Sequence, residues 1–191
     1  MKIGILAIQG AFVEHGKMLD KLGVLNFEIR NADDLSKNYD GLIIPGGEST
    51  TMRKLLVDLK MIDILKKRIL KGLPVFGTCA GLILLAKDVV NDSSRGLLTM
   101  DIKCKRNAYG RQLGSFSAKS KFANLGEISM VFIRAPYIQG VKKGVEVLAE
   151  VNGKIVAARQ QNQLVTAFHP ELTNNTTVHK YFLDEIVNKS K

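Results

Sequence analysis

Cys79 lies in the frame Gly77-Thr78-Cys79-Ala80-Gly81, between two apolar runs, Leu73-Pro74-Val75-Phe76 and Leu82-Ile83-Leu84-Leu85-Ala86. A nucleophile framed by glycines in this way is the thiol form of the Gly-x-Ser-x-Gly elbow, where a tight strand-to-helix turn pushes the reactive side chain outward. Glycine suits both flanks because the chain bends sharply and neighbouring segments approach too closely for a Cβ. The first run reads as a short buried strand and the second as a helix packed on a core. Cys79 is therefore expected beside a helix N-terminus, whose unpaired N–H groups and dipole favour a thiolate over a thiol.

A thiol nucleophile needs a base, and the chain has three histidines, His15, His169 and His179. His169 follows the apolar run Leu164–Phe168 and so stands at a strand end, with Pro170 next to it and Glu171 two residues on. In an extended segment residues two apart share a side, which lets Glu171 reach the imidazole and fix its tautomer. His15 reads as a solvent-exposed position of the first helix, and His179 as a structural or surface position of the last. A second glycine turn, Pro45-Gly46-Gly47-Glu48-Ser49-Thr50-Thr51, also follows an apolar run. Its amides are candidates for an oxyanion hole at Gly46 and Gly47, with another donor from Ala80. Alone, that turn would read as an ordinary connection before a helix capped by Ser49.

The elements that must position these residues follow the βαβ rhythm. Apolar runs at Lys2–Ile8, Leu25–Arg30, Gly41–Ile44 and the segment before Cys79 alternate with helical patterns at Ala11–Leu22, Ser49–Leu59 and Ile62–Leu70. That alternation predicts a parallel sheet wrapped by helices, with ligands beyond the carboxyl ends of the strands. The second half is β-rich: Ile102–Lys105, Phe116–Phe122, Ile128–Ala135, Val145–Val151, Ile155–Arg159 and Leu164–Phe168, with a hairpin signal at Asn152-Gly153. These runs are expected to extend the sheet with antiparallel strands. A helix over Asn174–Val187 closes the fold, and no linker divides residues 1–191 into more than one domain.

With 191 residues, 46% of them hydrophobic, the chain can bury one substantial core. Its apolar stretches fall short of the roughly 18 residues a membrane helix needs, and Met1–Leu6 is too short for a signal peptide. A cytoplasmic protein is expected, in keeping with two cysteines, Cys79 and Cys104, that make neither a disulfide framework nor a zinc spacing. Cys104 reads as a buried strand residue. The formal charge of +10 invites a nucleic-acid reading, but lysines and arginines are spread along the chain with no binding motif beside them. A solvated basic surface, with one face suited to an acidic partner, is the simpler reading.

Gly-Thr-Cys-Ala-Gly, Phe168-His169-Pro170-Glu171-Leu172 and Pro45-Gly46-Gly47-Glu48-Ser49 together resemble the class I, triad-type glutamine amidotransferases. More narrowly, Ile8–His15, Gly46–Thr51 and Arg106-Asn107-Ala108-Tyr109-Gly110-Arg111-Gln112, with Ser115-Phe116, resemble the PdxT/SNO family of glutaminase subunits of pyridoxal 5′-phosphate synthase. The resemblance runs over nearly the whole chain. It implies a flavodoxin-like, three-layer α/β fold whose mainly parallel central sheet is extended by antiparallel strands. It also implies hydrolysis of L-glutamine to glutamate and ammonia by Cys79, His169 and Glu171, with Gly47, Glu48, Ser49, Arg106, Ile133 and Arg134 around the substrate. The ammonia would pass to a separate (β/α) barrel synthase in a large hetero-oligomer. No metal or coenzyme is implied, since pyridoxal phosphate is the partner's product, and neither nucleic acid nor membrane is an implied partner. Weak activity of the isolated chain is implied as well, because the Gly46-Gly47 backbone must rearrange to complete the oxyanion hole. The rival enzyme class is the wider group of flavodoxin-like thiol hydrolases and chaperone-like proteins, which share an elbow cysteine; a non-catalytic regulatory subunit is the other alternative.

Overall fold

The computed structural model describes residues 1–92, 95–106 and 114–190, so the stretch Asn107–Gln112 of the motif above lies outside the described residues. Strands β1 (Lys2–Leu6), β2 (Leu25–Ile29), β3 (Gly41–Ile44) and β4 (Val75–Thr78) alternate with helices α1 (Phe12–Lys21), α2 (Ser49–Asp58) and α3 (Ile62–Leu70). After the elbow come α4 (Ala80–Leu85), β5 (Ala86–Val89), β6 (Met100–Lys105), β7 (Ser115–Lys121) and β8 (Glu127–Ile133). The chain ends with β9 (Tyr137–Val141), β10 (Glu146–Val151), β11 (Lys154–Gln160), β12 (Gln163–Thr166) and α5 (Thr177–Tyr181).

The main sheet runs β2-β1-β3-β4-β12-β11-β9-β6-β5, with β10 paired to β11. From β2 to β12 every pairing is parallel. Residues of β3, β4 and β12 are buried throughout, as expected where both faces are covered and no polar alternation is left. This 2-1-3-4 order, with β12 in fifth place, is the flavodoxin-like winding, and it puts a topological switch point between β1 and β3. Gln9-Gly10 follows β1, Gly46-Gly47 follows β3, Cys79 follows β4 and His169 follows β12, so the candidate residues share one edge of the sheet.

Past β12 the pairings β12-β11, β11-β9 and β9-β6 are antiparallel, and the edge pairing of β6 with β5 is parallel again. The Asn152-Gly153 signal is realised as a tight hairpin between β10 and β11, with both residues at positive φ (51° and 70°). One expectation fails. The Phe116–Phe122 and Ile128–Ala135 runs do not extend the main sheet; β7 and β8 pair with each other as a separate two-stranded sheet. The short turn through Gly126 (φ 87°) closes this hairpin locally, and alternate residues Ile128, Met130 and Phe132 of β8 face the core. Two strands escape the sequence pattern: β5, which continues directly from α4, and β9, which is short and irregularly buried. The last helix starts at Thr177 rather than Asn174, because Asn175 Oδ1 accepts from the Thr177 amide and holds a turn there. It continues from α5 as a π-helical stretch over Phe182–Val187.

Candidate active site

At the elbow, Cys79 takes φ 47° and ψ −94°, a conformation disfavoured for a residue with a side chain. Its surroundings enforce it: the Cys79 amide donates to Thr166 O of β12 at 2.8 Å, while α4 departs immediately after. Gly81 shows why the frame needs glycine, since a Cβ there would run into the carbonyl oxygen of Ile44 in β3. Backbone strain of this kind costs roughly 1–3 kcal/mol and persists where the fold over-determines it, typically at functional sites. The thiol itself is largely covered, with Sγ 3.9 Å from the carbonyl oxygen of Ile133 at the end of β8.

His169 is anchored by its amide, which donates to Val131 O at 2.8 Å, so the separate β7–β8 hairpin buttresses the site. The imidazole packs on Gly46, where a Cβ would overlap the ring. Its Nδ1 lies 2.7 Å from Glu171 Oε1, which leaves Nε2 for the thiol. Residues 170–172 form a short 3-10 turn rather than the extended segment expected from the sequence; Pro170 opens it and the Leu172 amide closes it on His169 O. The turn delivers Glu171 to the ring all the same. Burial works to lower the His169 pKa, but hydrogen bonds to Cys79 and Glu171 and the Glu171 charge outweigh it, and the pKa rises to about 10. Burial likewise opposes the Glu171 charge, yet the neighbouring His15 and His169 hold its carboxyl below the usual range. Cys104 is the counterexample: buried within β6, its thiol is pushed up to about 12, chiefly by desolvation.

The Gly46-Gly47 turn is tied on both sides. Gly46 O accepts from the Ala11 amide at 3.0 Å, and the Glu48 amide donates to Gln9 Oε1 at 2.8 Å. Glu48, not Ser49, caps α2: its carboxylate accepts from the Thr50 and Thr51 amides, while Ser49 is buried in the first turn. A glutamate can cap where its longer side chain folds back, and its charge suits the helix N-terminus. Arg106 braces the same segment, with one guanidinium nitrogen 2.6 Å from Asp92 and the other 3.0 Å from Thr50 Oγ1 and 3.4 Å from Glu48. Arg134 stands exposed at positive φ (43°), its amide donating to Gly114 O.

Gly46, Gly47, Glu48, Ser49, Cys79, Arg106, Ile133, Arg134 and His169 all border one pocket of about 490 Å³, within the range of small-molecule sites. Ala80 lies directly behind Cys79 as the first residue of α4. Four further walls, Gly10, Ala11, Ile83 and Leu172, were given no role from sequence; the first two follow β1 at the switch point, which is the signal that finds them. A larger cleft of about 810 Å³, near Leu125, Arg159 and Tyr181, has neither cysteine nor histidine on its walls, so the smaller pocket is the chemical one. Among the described residues no cluster of three or more histidines, cysteines or carboxylates could hold a metal.

His15 contradicts the sequence reading most clearly. It is fully buried rather than solvent-exposed, because it shares the inward stripe of α1 with Met18 and Leu19. His179 of α5 is buried against it, in the structural position that its apolar neighbours suggested.

Fold and site together define a doubly wound α/β protein that carries a thiol, an imidazole and a carboxylate at the carboxyl edge of its parallel sheet. The model of the SNO glutamine amidotransferase family matches residues 5–188. A protein of Methanocorpusculum labreanum named pyridoxal 5′-phosphate synthase subunit PdxT is 61% identical, over 97% of this chain and 98% of that relative. Its namesake from Streptococcus pneumoniae is 55% identical over the full length of both. A crystal structure described as a glutamine amidotransferase superposes with a TM-score of 0.92 at 42% identity, covering 97% of this chain and 98% of its own. The chain belongs to the SNO glutamine amidotransferase family.

Proposed function

We propose that this chain is the glutaminase subunit of pyridoxal 5′-phosphate synthase, one amidotransferase domain over residues 1–191, and that Cys79, His169 and Glu171 are its catalytic triad. The observation that carries the triad is the string from Cys79 through His169 to Glu171, with a 2.7 Å imidazole–carboxylate contact, opening into the pocket formed by the Gly46–Ser49 turn. Membership of a glutamine amidotransferase family supplies the substrate class, and the relatives' names supply the assembly.

In this reading the Cys79 thiolate attacks the side-chain amide carbon of L-glutamine. The tetrahedral oxyanion is held by the Ala80 amide and by an amide of the Gly46-Gly47 turn. Imidazolium at His169 protonates the amide nitrogen, the C–N bond breaks and ammonia departs, leaving a glutamyl thioester. Neutral His169 then takes a proton from water, whose oxygen attacks the thioester carbon; glutamate leaves and the thiolate returns. Glu171 stabilises the imidazolium in both halves of the cycle and fixes the ring. Gly47, Glu48, Ser49, Ile133 and Arg134 surround the amino-acid end of the substrate. Arg106, already paired with Asp92, Thr50 and Glu48, shapes that end as much as it binds it.

Ammonia released into water near neutral pH would be protonated and lose its nucleophilicity, which favours direct transfer to a barrel synthase subunit. The isolated chain is expected to be weakly active. Gly46 O is engaged by Ala11, and in a trans peptide the Gly47 N–H points opposite to it, so completing the oxyanion hole calls for a change at this turn that the partner would trigger. A cytoplasmic location suits two unpaired cysteines.

Glutamate release by the wild type and by Cys79→Ala, each with and without the cognate synthase, tests the reading. Release by the wild type is expected to rise on adding synthase, and the alanine variant is expected to release none above background. Turnover of the alanine variant at the wild-type rate would overturn the mechanism.

A further inference from the structure

Behind Glu171 lies a pair of histidines for which the triad has no use. His15 Nε2 faces Glu171 Oε2 at 3.5 Å and Thr78 Oγ1 at 3.2 Å, and His15 Nδ1 lies 2.9 Å from His179 Nε2. All four side chains are buried. Glu171 Oε2 and His179 Nδ1 have no hydrogen-bond partner among the described residues. Thr78 precedes the nucleophile in β4, so His15 touches both the strand that ends in Cys79 and the carboxylate that serves His169.

One arrangement of protons suits this group better than the other. If His15 carried its proton on Nδ1, that proton would go to His179 Nε2, and His179 would bear a buried Nδ1–H with no acceptor. The bare His15 Nε2 could accept from the Thr78 hydroxyl, but it would still face the carboxylate lone pair to lone pair. With the proton on His15 Nε2 instead, it goes to Thr78 Oγ1 with its positive end toward Glu171, and Nδ1 accepts from His179 Nε2–H. His179 Nδ1 is left as a bare acceptor, which costs less than an orphaned donor or two opposed lone pairs. Burial keeps both rings neutral by lowering their pKa values, so the pair acts through its N–H dipoles.

The geometry assigns His15, with its tautomer set by His179, as a positioning residue whose Nε2–H, shared with Thr78, faces the second oxygen of Glu171 at 3.5 Å and by electrostatic attraction steadies the plane of the carboxylate that orients His169. This rests on the triad reading above and extends it by two residues. A carboxylate with one oxygen on His169 and the other unheld could rotate about its last torsion, and the imidazole would follow it away from the thiol.

Nitrogen-15 imidazole NMR of the wild-type chain, which has three histidines, reads the tautomer directly. A proton on His15 Nε2 is expected, and one on Nδ1 would overturn the assignment. In the synthase complex, His15→Leu is expected to lower kcat for glutamate release by about tenfold to a hundredfold, part of what acid–base catalysis supplies, with KM nearly unchanged. His15→Gln can present an amide N–H toward Glu171 and is expected to recover most of that loss, whatever either substitution does to the melting temperature. An undiminished kcat in His15→Leu, or a glutamine variant as impaired as the leucine one, would refute the positioning role. Cys79→Ala run alongside separates the two ideas: its activity decides the triad, and that of the His15 variants decides the support behind it.

Discussion

One cysteine of this chain lies inside the main sheet and the other just past the end of one of its strands, in opposite settings. Cys104 lies inside β6, fully buried, and desolvation drives its pKa up to about 12. Cys79 stands one residue beyond β4 in a left-handed conformation, at the N-cap of α4 and beside an imidazole whose own pKa is raised. The lesson is that backbone geometry, not burial, makes the difference: both thiols are mostly hidden from water, but only the elbow brings one to a base and a pocket. Cys104 is an apolar filler that happens to contain sulfur.

The largest expected effect divides them outright. Cys79→Ala should reduce glutaminase activity in the synthase complex by about four orders of magnitude or more, as loss of a nucleophile does in other triads. Next comes Glu171→Gln, which keeps the shape but removes the charge behind His169. A fall in kcat of about a thousandfold is expected, read from steady-state glutamate release, and an unimpaired variant would show that the imidazole needs no carboxylate. Gly46→Ala should cost about a hundredfold, the scale of one lost oxyanion donor, because the new methyl must displace the His169 ring. If Gly46→Ala were as active as wild type, the close packing of turn on imidazole would have no catalytic meaning.

How much of this was legible in the sequence follows from the range of the forces involved. The glycine frame at Cys79, the His169–Glu171 pair and the Gly46-Gly47 turn are local patterns, and the fold puts them at successive strand ends, where the βαβ rhythm predicts ligand sites. The place of the β7–β8 hairpin outside the main sheet is not legible, because period-two alternation tells which face of a strand is buried but not which strand it pairs with. Propensity points to Ser49 for the cap that Glu48 holds, since it ranks serine first and says nothing of a longer carboxylate folding back on Thr50 and Thr51. His15 looks exposed by residue type, but it shares a stripe with Met18 and Leu19, and the periodicity decides. Its partners, His179 and Thr78, are 164 and 63 residues away in sequence, and no local pattern joins them.

A subtler contrast lies in the pH dependence of stability. His169 has its folded pKa raised to about 10 from 6.5, so the folded state holds more protons than the unfolded one between those values, and this contribution is lost as pH rises through that window. His15 and His179 have lowered folded pKa values, so below 6.5 the unfolded state binds more protons and their contribution is lost as pH falls. Urea midpoints are therefore expected to fall on both sides of pH 6.5 as far as the histidines decide, and Glu171→Gln should flatten the alkaline side. An alkaline limb as steep in that variant as in the wild type would mean that the carboxylate is not what keeps His169 protonated.

The smallest effect belongs to Cys104 and bears on the opening contrast most directly. Replacing it by alanine removes one buried heavy atom, comparable with taking a methyl group from a core residue, and should cost about 1 kcal/mol in urea unfolding. Cys104→Ser should cost more, about 1–3 kcal/mol, because a hydroxyl on the buried face of that strand must find an acceptor or go without. Neither variant should change kcat or KM. The two substitutions separate packing from chemistry: a thiol that matters through its volume is hurt more by the polar isostere, whereas a thiol that reacts is lost equally in both. Reduced turnover in Cys104→Ala at unchanged stability would therefore mean that the second sulfur has chemistry of its own, and the distinction drawn from the elbow would not hold.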